Sequence, residues 1–88
     1  MSKSSAYGLI ISPKAESQLK KISRSHQKVL IETFTEIVED PLLGKPLGRE
    51  LIGRFSFRVW VYRFVYKVYQ IDKRVIVLRV GHRSKVYQ

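Results

Sequence analysis

From Arg54 onward the chain reads RFSFRVWVYRFVYKVYQIDKRVIVLRVGHRSKVYQ, and this stretch constrains the fold to one built around a β-sheet. It is dense in Val, Ile, Phe and Tyr, residues that suit a pleated, half-buried surface. Phe55, Phe57, Val59 and Val61 alternate with Arg54, Ser56, Arg58 and Trp60. That period of two predicts a strand with one apolar face and one basic, polar face. A second strand follows over Arg63–Ile71, with Phe64, Tyr66 and Val68 on one side and Arg63, Val65, Lys67 and Tyr69 on the other. No Gly, Asn or Asp marks the turn between these strands. Asp72-Lys73 suits a tight turn, and the nearly continuous apolar run Arg74–Val80 suits a central strand covered on both faces. Gly81 ends it, leaving His82–Gln88 as a short basic tail.

The segment ahead of the sheet reads as its packing layer. Tyr7–Ser12 is short, apolar and β-branched, a first strand. Ser12-Pro13 is a helix start, with Ser at the N-cap and Pro at the first helical position. Ala15, Leu19 and Ile22 then form one apolar helix face. Ser23–His26 interrupts the pattern and places His26 in a solvated loop. A second helix is expected from about Gln27 to Glu39, with Leu30, Phe34, Ile37 and Val38 as its buried stripe. Asp40-Pro41 ends it, because the residue before proline disfavours the helical region. Pro41–Gly53 is a connector of turns whose Leu42, Leu43, Leu47 and Leu51 are expected to pack. The helices form a hairpin laid on one face of the sheet. The whole, residues 1–88, is expected to be a single α+β domain: an N-terminal strand, a two-helix hairpin, then a three- to four-stranded antiparallel sheet.

Charge points to the class of ligand. Residues 1–44 hold six Lys/Arg against five acids, whereas residues 45–88 hold eleven against two, so +9 of the formal +10 lies in the sheet half. Such a concentration favours a polyanion, nucleic acid first. The chain contains no cysteine, which excludes disulfides and thiolate metal sites and fits a reducing, cytoplasmic setting. No apolar stretch is long enough for a secretory signal or a membrane span. The basic half offers no carboxylate pair, phosphate-cradling glycine motif or metal-ligand cluster, so neither a metal nor another cofactor is expected.

Arginine, lysine and tyrosine remain. Arginine grips phosphate bidentately and stays charged, so its catalytic role is to hold a phosphate and stabilise charge. Arg58, Arg63, Arg79 and Arg83 are placed to gather near one end of the sheet. Tyr87 and His82 are the groups able to move protons. These parts suit attack by an RNA 2′-hydroxyl on its adjacent phosphodiester, a reaction in which the substrate brings its own nucleophile. Trp60 is positioned either to stack a base or to cover the edge of the core. Lys20, Lys21, Arg24 and Lys28 either touch RNA or line a solvated helix face.

The segment GRFSFRVWVYRFVYKVYQIDKRVIVLRVGHRSKVY resembles the C-terminal half of RelE/ParE-superfamily toxins of type II toxin–antitoxin systems. Gly53, Arg58, Tyr62, Arg63, Tyr66, Gly81, His82, Arg83, Val86 and Tyr87 fall on that pattern without a gap, and the strand, two helices and Pro/Leu/Gly connector fit as well. RelE-like members cut mRNA in the ribosomal A site without a metal, while ParE-like members poison DNA gyrase. The resemblance implies a toxin acting as a ribosome-dependent mRNA interferase that inhibits translation, with a ParE-like gyrase inhibitor as the alternative. Carried over, its working positions are Ser56 and Arg58, which would contact RNA, and the catalytic Arg63, Arg83 and Tyr87; His82 and Lys67, basic residues of the same stretch, are expected to add RNA contacts. It also implies a cognate antitoxin, the ribosome and mRNA as partners. Two departures stand out. Ser56 replaces a basic residue, and Trp60-Val61 replaces the usual Gly-Asp turn, so a reshaped hairpin is expected there.

Overall fold

A computed structural model describes residues 7–48 and 53–82. Strand β1 (Gly8–Ile11) leads into helix α1 (Pro13–Lys20) and helix α2 (Arg24–Glu39). A 3-10 turn (Pro41–Leu43) and a two-residue strand β2 (Lys45–Pro46) follow, then β3 (Arg54–Val59), β4 (Tyr62–Tyr69) and β5 (Arg74–His82). The sheet order is β1-β5-β4-β3-β2. Strands β2 to β5 pair antiparallel, and β1 pairs parallel with β5, Gly8 against Arg74 through Ile11 against Val77. The strand, two-helix and antiparallel-sheet layout expected from the sequence is present. β2 is an addition, taken from the predicted connector; as an edge strand it tolerates Pro46.

Both helices cover the same face of the sheet. Ala15 and Leu19 of α1 and Leu30, Phe34 and Ile37 of α2 meet Phe64, Tyr66, Val75, Val77 and Val80 in one core. Phe34 stands edge-to-face on Phe64 at 4.7 Å, which ties α2 to β4. The strand alternation therefore reads out as drawn: Phe64, Tyr66 and Val68 turn to the helices, Arg63, Lys67 and Tyr69 away from them. β5 is internal, but its second face is only partly covered, with Ile76 and Leu78 half-buried. Helices on one side alone leave that face to its own side chains.

Local chemistry sets the joints. Ser12 Oγ accepts from the Ala15 N–H at 3.1 Å, as an N-cap should. The same hydroxyl donates to the Leu78 carbonyl at 3.1 Å, and the Ser12 N–H donates to Val77 O at 2.9 Å. Two residues beyond Leu78, Gln18 Oε1 accepts from the Val80 N–H at 2.8 Å. β1 ends opposite Val77, so these bonds satisfy β5 backbone groups that have run past their strand partner. This is also where the β4–β5 register slips, between Val65 and Tyr66.

α2 begins at Arg24, three residues before the expected start, with Ser23 as its N-cap. Apolar periodicity cannot register a first turn made of Arg, Ser, His and Gln. His26 accordingly belongs to the helix and is half-buried, not in a solvated loop. The connector is also held differently from expectation. Leu42 and Leu43 are exposed, whereas Pro41 and Gly44 are buried. The anchor is Tyr66, whose hydroxyl donates to Pro41 O at 2.8 Å and accepts from the Gly44 N–H at 2.9 Å. Leu51 lies outside the described residues.

Candidate nucleic-acid interface

The register of the antiparallel strands assembles a cationic face on the side away from the helices. Arg58 lies directly opposite Arg63, and Arg54 opposite Lys67. Val65 lies opposite Arg79 on one side and Ser56 on the other, and Ser56 in turn faces Lys45 of β2. Directly opposed side chains share a face, so Arg54, Arg58, Arg63, Lys67, Arg79 and Lys45 form one basic field. None of the strands β2 to β5 contains an Asp or Glu. Like charges opposed across a ladder each cost roughly 0.2–1 kcal/mol, and this hairpin carries two such pairs. A surface that accumulates them lowers its free energy by accepting a polyanion.

Of the predicted site residues, Arg58, Ser56, Arg63 and Lys67 are brought together on this face. Arg63 and Lys67 are half-buried, and Arg58 is exposed. Ser56 is only 7% exposed, so the position offers little more than a hydroxyl at the floor of the field. Val65 at 6% forms the same floor; the aliphatic stems of long cations are suited to covering such residues. Lys67 Nζ stands 5.0 Å from the centre of the Tyr69 ring. His82 departs from the group: it pairs with Tyr62, while Gly81 occupies the position opposite Arg63. Its register places it with the helix-side row, one step beyond the arginines. Arg83 and Tyr87 lie outside the described residues.

A second cluster, missed by sequence reasoning, adjoins this face. The β3–β4 turn is the two-residue loop Trp60-Val61, closed by Val59 opposite Tyr62. Trp60 has φ 58 and Val61 has none of this character, the pattern of a type II′ turn, where glycine is preferred. A bulky residue held there costs roughly 1–3 kcal/mol. The Trp60 ring meets His26 edge-on at 5.1 Å. His26 Nδ1 lies 2.8 Å from the Tyr62 hydroxyl, and their rings are 5.4 Å apart. Trp60 therefore does not extend β3's polar face; it bends towards the start of α2. The resemblance had marked Trp60-Val61 as the place of the turn and of a reshaped hairpin; nothing in the sequence signalled that His26 and Tyr62 would join it.

Among the described residues no group of His, Asp or Glu is placed to hold a metal ion, and no helix is long and apolar enough to cross a membrane. Tyr66 is the titratable group with a clear perturbation. Burial pushes its hydroxyl above the ordinary tyrosine value; the bond from the Gly44 N–H opposes this, and the Asp40 charge adds to it. It is a structural group, on the core side of the sheet.

Comparison with known proteins converges on one family. The family described as the ParE toxin of the type II toxin–antitoxin system parDE matches residues 9–87. Toxin RelG of Mycobacterium tuberculosis is 43% identical over 56 residues, which cover 62% of this chain and 64% of that protein, just under two thirds of its length. A chain of the RelBE2 toxin–antitoxin complex of Mycobacterium tuberculosis superposes with a TM-score of 0.81 at 35% identity, covering 89% of this chain and 99% of that one. The isolated RelE toxin of E. coli superposes with a TM-score of 0.77 at 25% identity, covering 88% and 84% respectively.

Proposed function

Since the chain belongs to the ParE toxin family of type II toxin–antitoxin systems and has a RelE-like fold, we propose that it is a RelE-like mRNA interferase, an endoribonuclease acting on mRNA in the ribosomal A site. The observation that carries this reading is the doubled cation pairing, Arg58 against Arg63 and Arg54 against Lys67, on the face away from the helices. Its similarity to a toxin named RelG supports the same direction.

In the proposed reaction the RNA 2′-oxygen attacks the adjacent phosphorus. The bond from phosphorus to the 5′-oxygen breaks, leaving a 2′,3′-cyclic phosphate and a 5′-hydroxyl. One proton leaves the 2′-hydroxyl and one reaches the departing 5′-oxygen. Arg63 and Arg83 stabilise the charge that builds on the phosphorane, and Arg58, with Lys67 beside it, holds the flanking backbone. Tyr87, or His82 in its place, moves the protons. The described residues supply no tuned acid–base pair on the cationic face, which favours a substrate aligned by the ribosome. A cognate antitoxin partner is part of the proposal, supported by the toxin–antitoxin complexes among the structural relatives. So is a cytoplasmic site of action.

The second reading is a gyrase inhibitor of the ParE kind, which involves binding and no catalysis. It draws on Ser56, which leaves a buried hydroxyl where the nuclease pattern has a cation. In vitro translation with the purified protein, with mRNA ends mapped by primer extension, separates the two. Discrete cuts within codons in the A site, lost with Arg63→Ala and Arg83→Ala, are the expected result. Intact mRNA together with blocked gyrase supercoiling would replace the first reading by the second.

A further inference from the structure

Trp60 is the single tryptophan of the chain, and its placement is not explained by packing. It occupies the turn position that prefers glycine, at φ 58. The residue is 60% exposed, whereas the core aromatics Phe34, Phe64 and Tyr66 are fully buried. Its described ring neighbour is His26, a polar side chain itself fixed by the Tyr62 hydroxyl. An edge-to-face contact occupies at most one face of the indole, so an aromatic face stays open to solvent.

The surroundings indicate what belongs on that face. Arg58 is two residues before Trp60 and Arg63 three after it, so the backbone positions of the cations lie within about 7–10 Å along the strands. The paired guanidinium groups lie on the face away from the helices, one register position behind the pair that closes the turn, while the indole lies at the hairpin tip on the α2 side; a strand with its phosphates on the cations can pass round the hairpin end and lay one unpaired base on the ring. Val61 beside it is exposed as well, but a tryptophan and a valine at a hairpin tip, with an arginine two residues away on each strand, make a smaller apolar patch than a protein partner would need.

We propose that Trp60 is a stacking platform for one unpaired nucleobase of an RNA strand whose phosphates lie on Arg58 and Arg63. His26, held by Tyr62, is the positioning residue that keeps the indole turned outward. The proposal rests on RNA being the ligand of the cationic face, and it is independent of whether that RNA is then cut.

The lone tryptophan is its own probe. The purified toxin is titrated with a short 2′-O-methyl RNA, which cannot be cleaved, and with an abasic strand of equal length and charge. Indole fluorescence reads stacking, and anisotropy of the labelled strands reads binding. Quenching is expected from the base-bearing strand alone. Trp60→Gly, which suits the turn and protects folding, should weaken that strand's binding roughly 5- to 150-fold, the range for one stacked base. Binding of the abasic strand should be unchanged, and Trp60→Tyr should recover part of the loss. His26→Ala should diminish quenching and leave abasic binding intact. Equal quenching by both strands, or undiminished binding by Trp60→Gly, overturns the platform even if mRNA is still cut. Binding of neither strand by the wild type overturns it together with the RNA reading. Base-dependent quenching without any mRNA cleavage upholds the platform and removes only the nuclease.

Discussion

Arg58 and Arg63 face each other directly across the β3–β4 ladder, one register step before the strained turn at Trp60. A hairpin selected for stability would not place two guanidinium groups there, nor repeat the arrangement with Arg54 and Lys67 four register positions away. The pairing is a stability cost retained at a surface suited to phosphate, and it makes opposite predictions for folding and for binding.

Replacing Arg58 with Thr should raise stability by roughly 0.2–1 kcal/mol, because the opposition of exposed Arg58 to half-buried Arg63 is relieved. The same change should weaken binding of single-stranded RNA and flatten the logarithmic salt dependence by about 0.7, the value for one lost phosphate contact. Urea unfolding and salt-titrated binding measure the two. A stability loss with unchanged binding would make Arg58 a structural residue.

Tyr66→Phe should destabilise the fold by about 1–3 kcal/mol. The buried ring stays, but Pro41 O and the Gly44 N–H lose their partner. The hydroxyl also carries a pH signature. Its native pKa lies above the unfolded value of about 10, so the unfolded chain releases this proton first. Its contribution is therefore complete below pH 10 and declines as pH rises above it. The difference in unfolding free energy between wild type and Tyr66→Phe should be flat up to about pH 9.5 and shrink beyond that.

Gly44→Ala tests the same joint from the other side. Gly44 has ordinary extended backbone, so glycine is required here by space, not by φ. An added Cβ would sit 2.5 Å from the Tyr66 hydroxyl and 2.8 Å from Ser56 O. A loss of about 1–3 kcal/mol is expected from overpacking, together with detachment of the edge strand β2. Accelerated amide exchange at Lys45 and Ser56, which pair across β2 and β3, would register it.

Ser12→Ala removes two bonds at once, the cap of α1 and the donation to Leu78 O. A loss of about 1–2 kcal/mol is expected. If Ser12 acted only as a cap, Ser12→Asp would restore stability in full. If the hydroxyl donor matters to β5, the aspartate, an acceptor alone, should restore only part.

Sequence by itself determined the order of the elements, the start of α1 at Ser12-Pro13, the stripe Leu30, Phe34 and Ile37, and the facing of Phe64 and Tyr66 against Arg63 and Lys67. Each is a local property, since helix and strand periods are written in residues a few positions apart. The cationic field was legible for the same reason: alternation sorts the arginines to one side before any strand finds its neighbour.

Tertiary structure alone decided the rest. β1 lies parallel to β5 across more than sixty residues of chain, a pairing that no local pattern encodes. That Trp60, at the turn the resemblance had marked, takes a positive φ was decided by pairing of the flanking strands, which overrode the residue's own backbone preference. His26 met Tyr62 and Trp60 only once α2 was laid against the hairpin tip, and Ser56 became buried only because β2 and β4 closed on both sides of β3. Register and burial are set by contacts between distant segments, and those depend on the whole chain's packing, not on any window of its sequence.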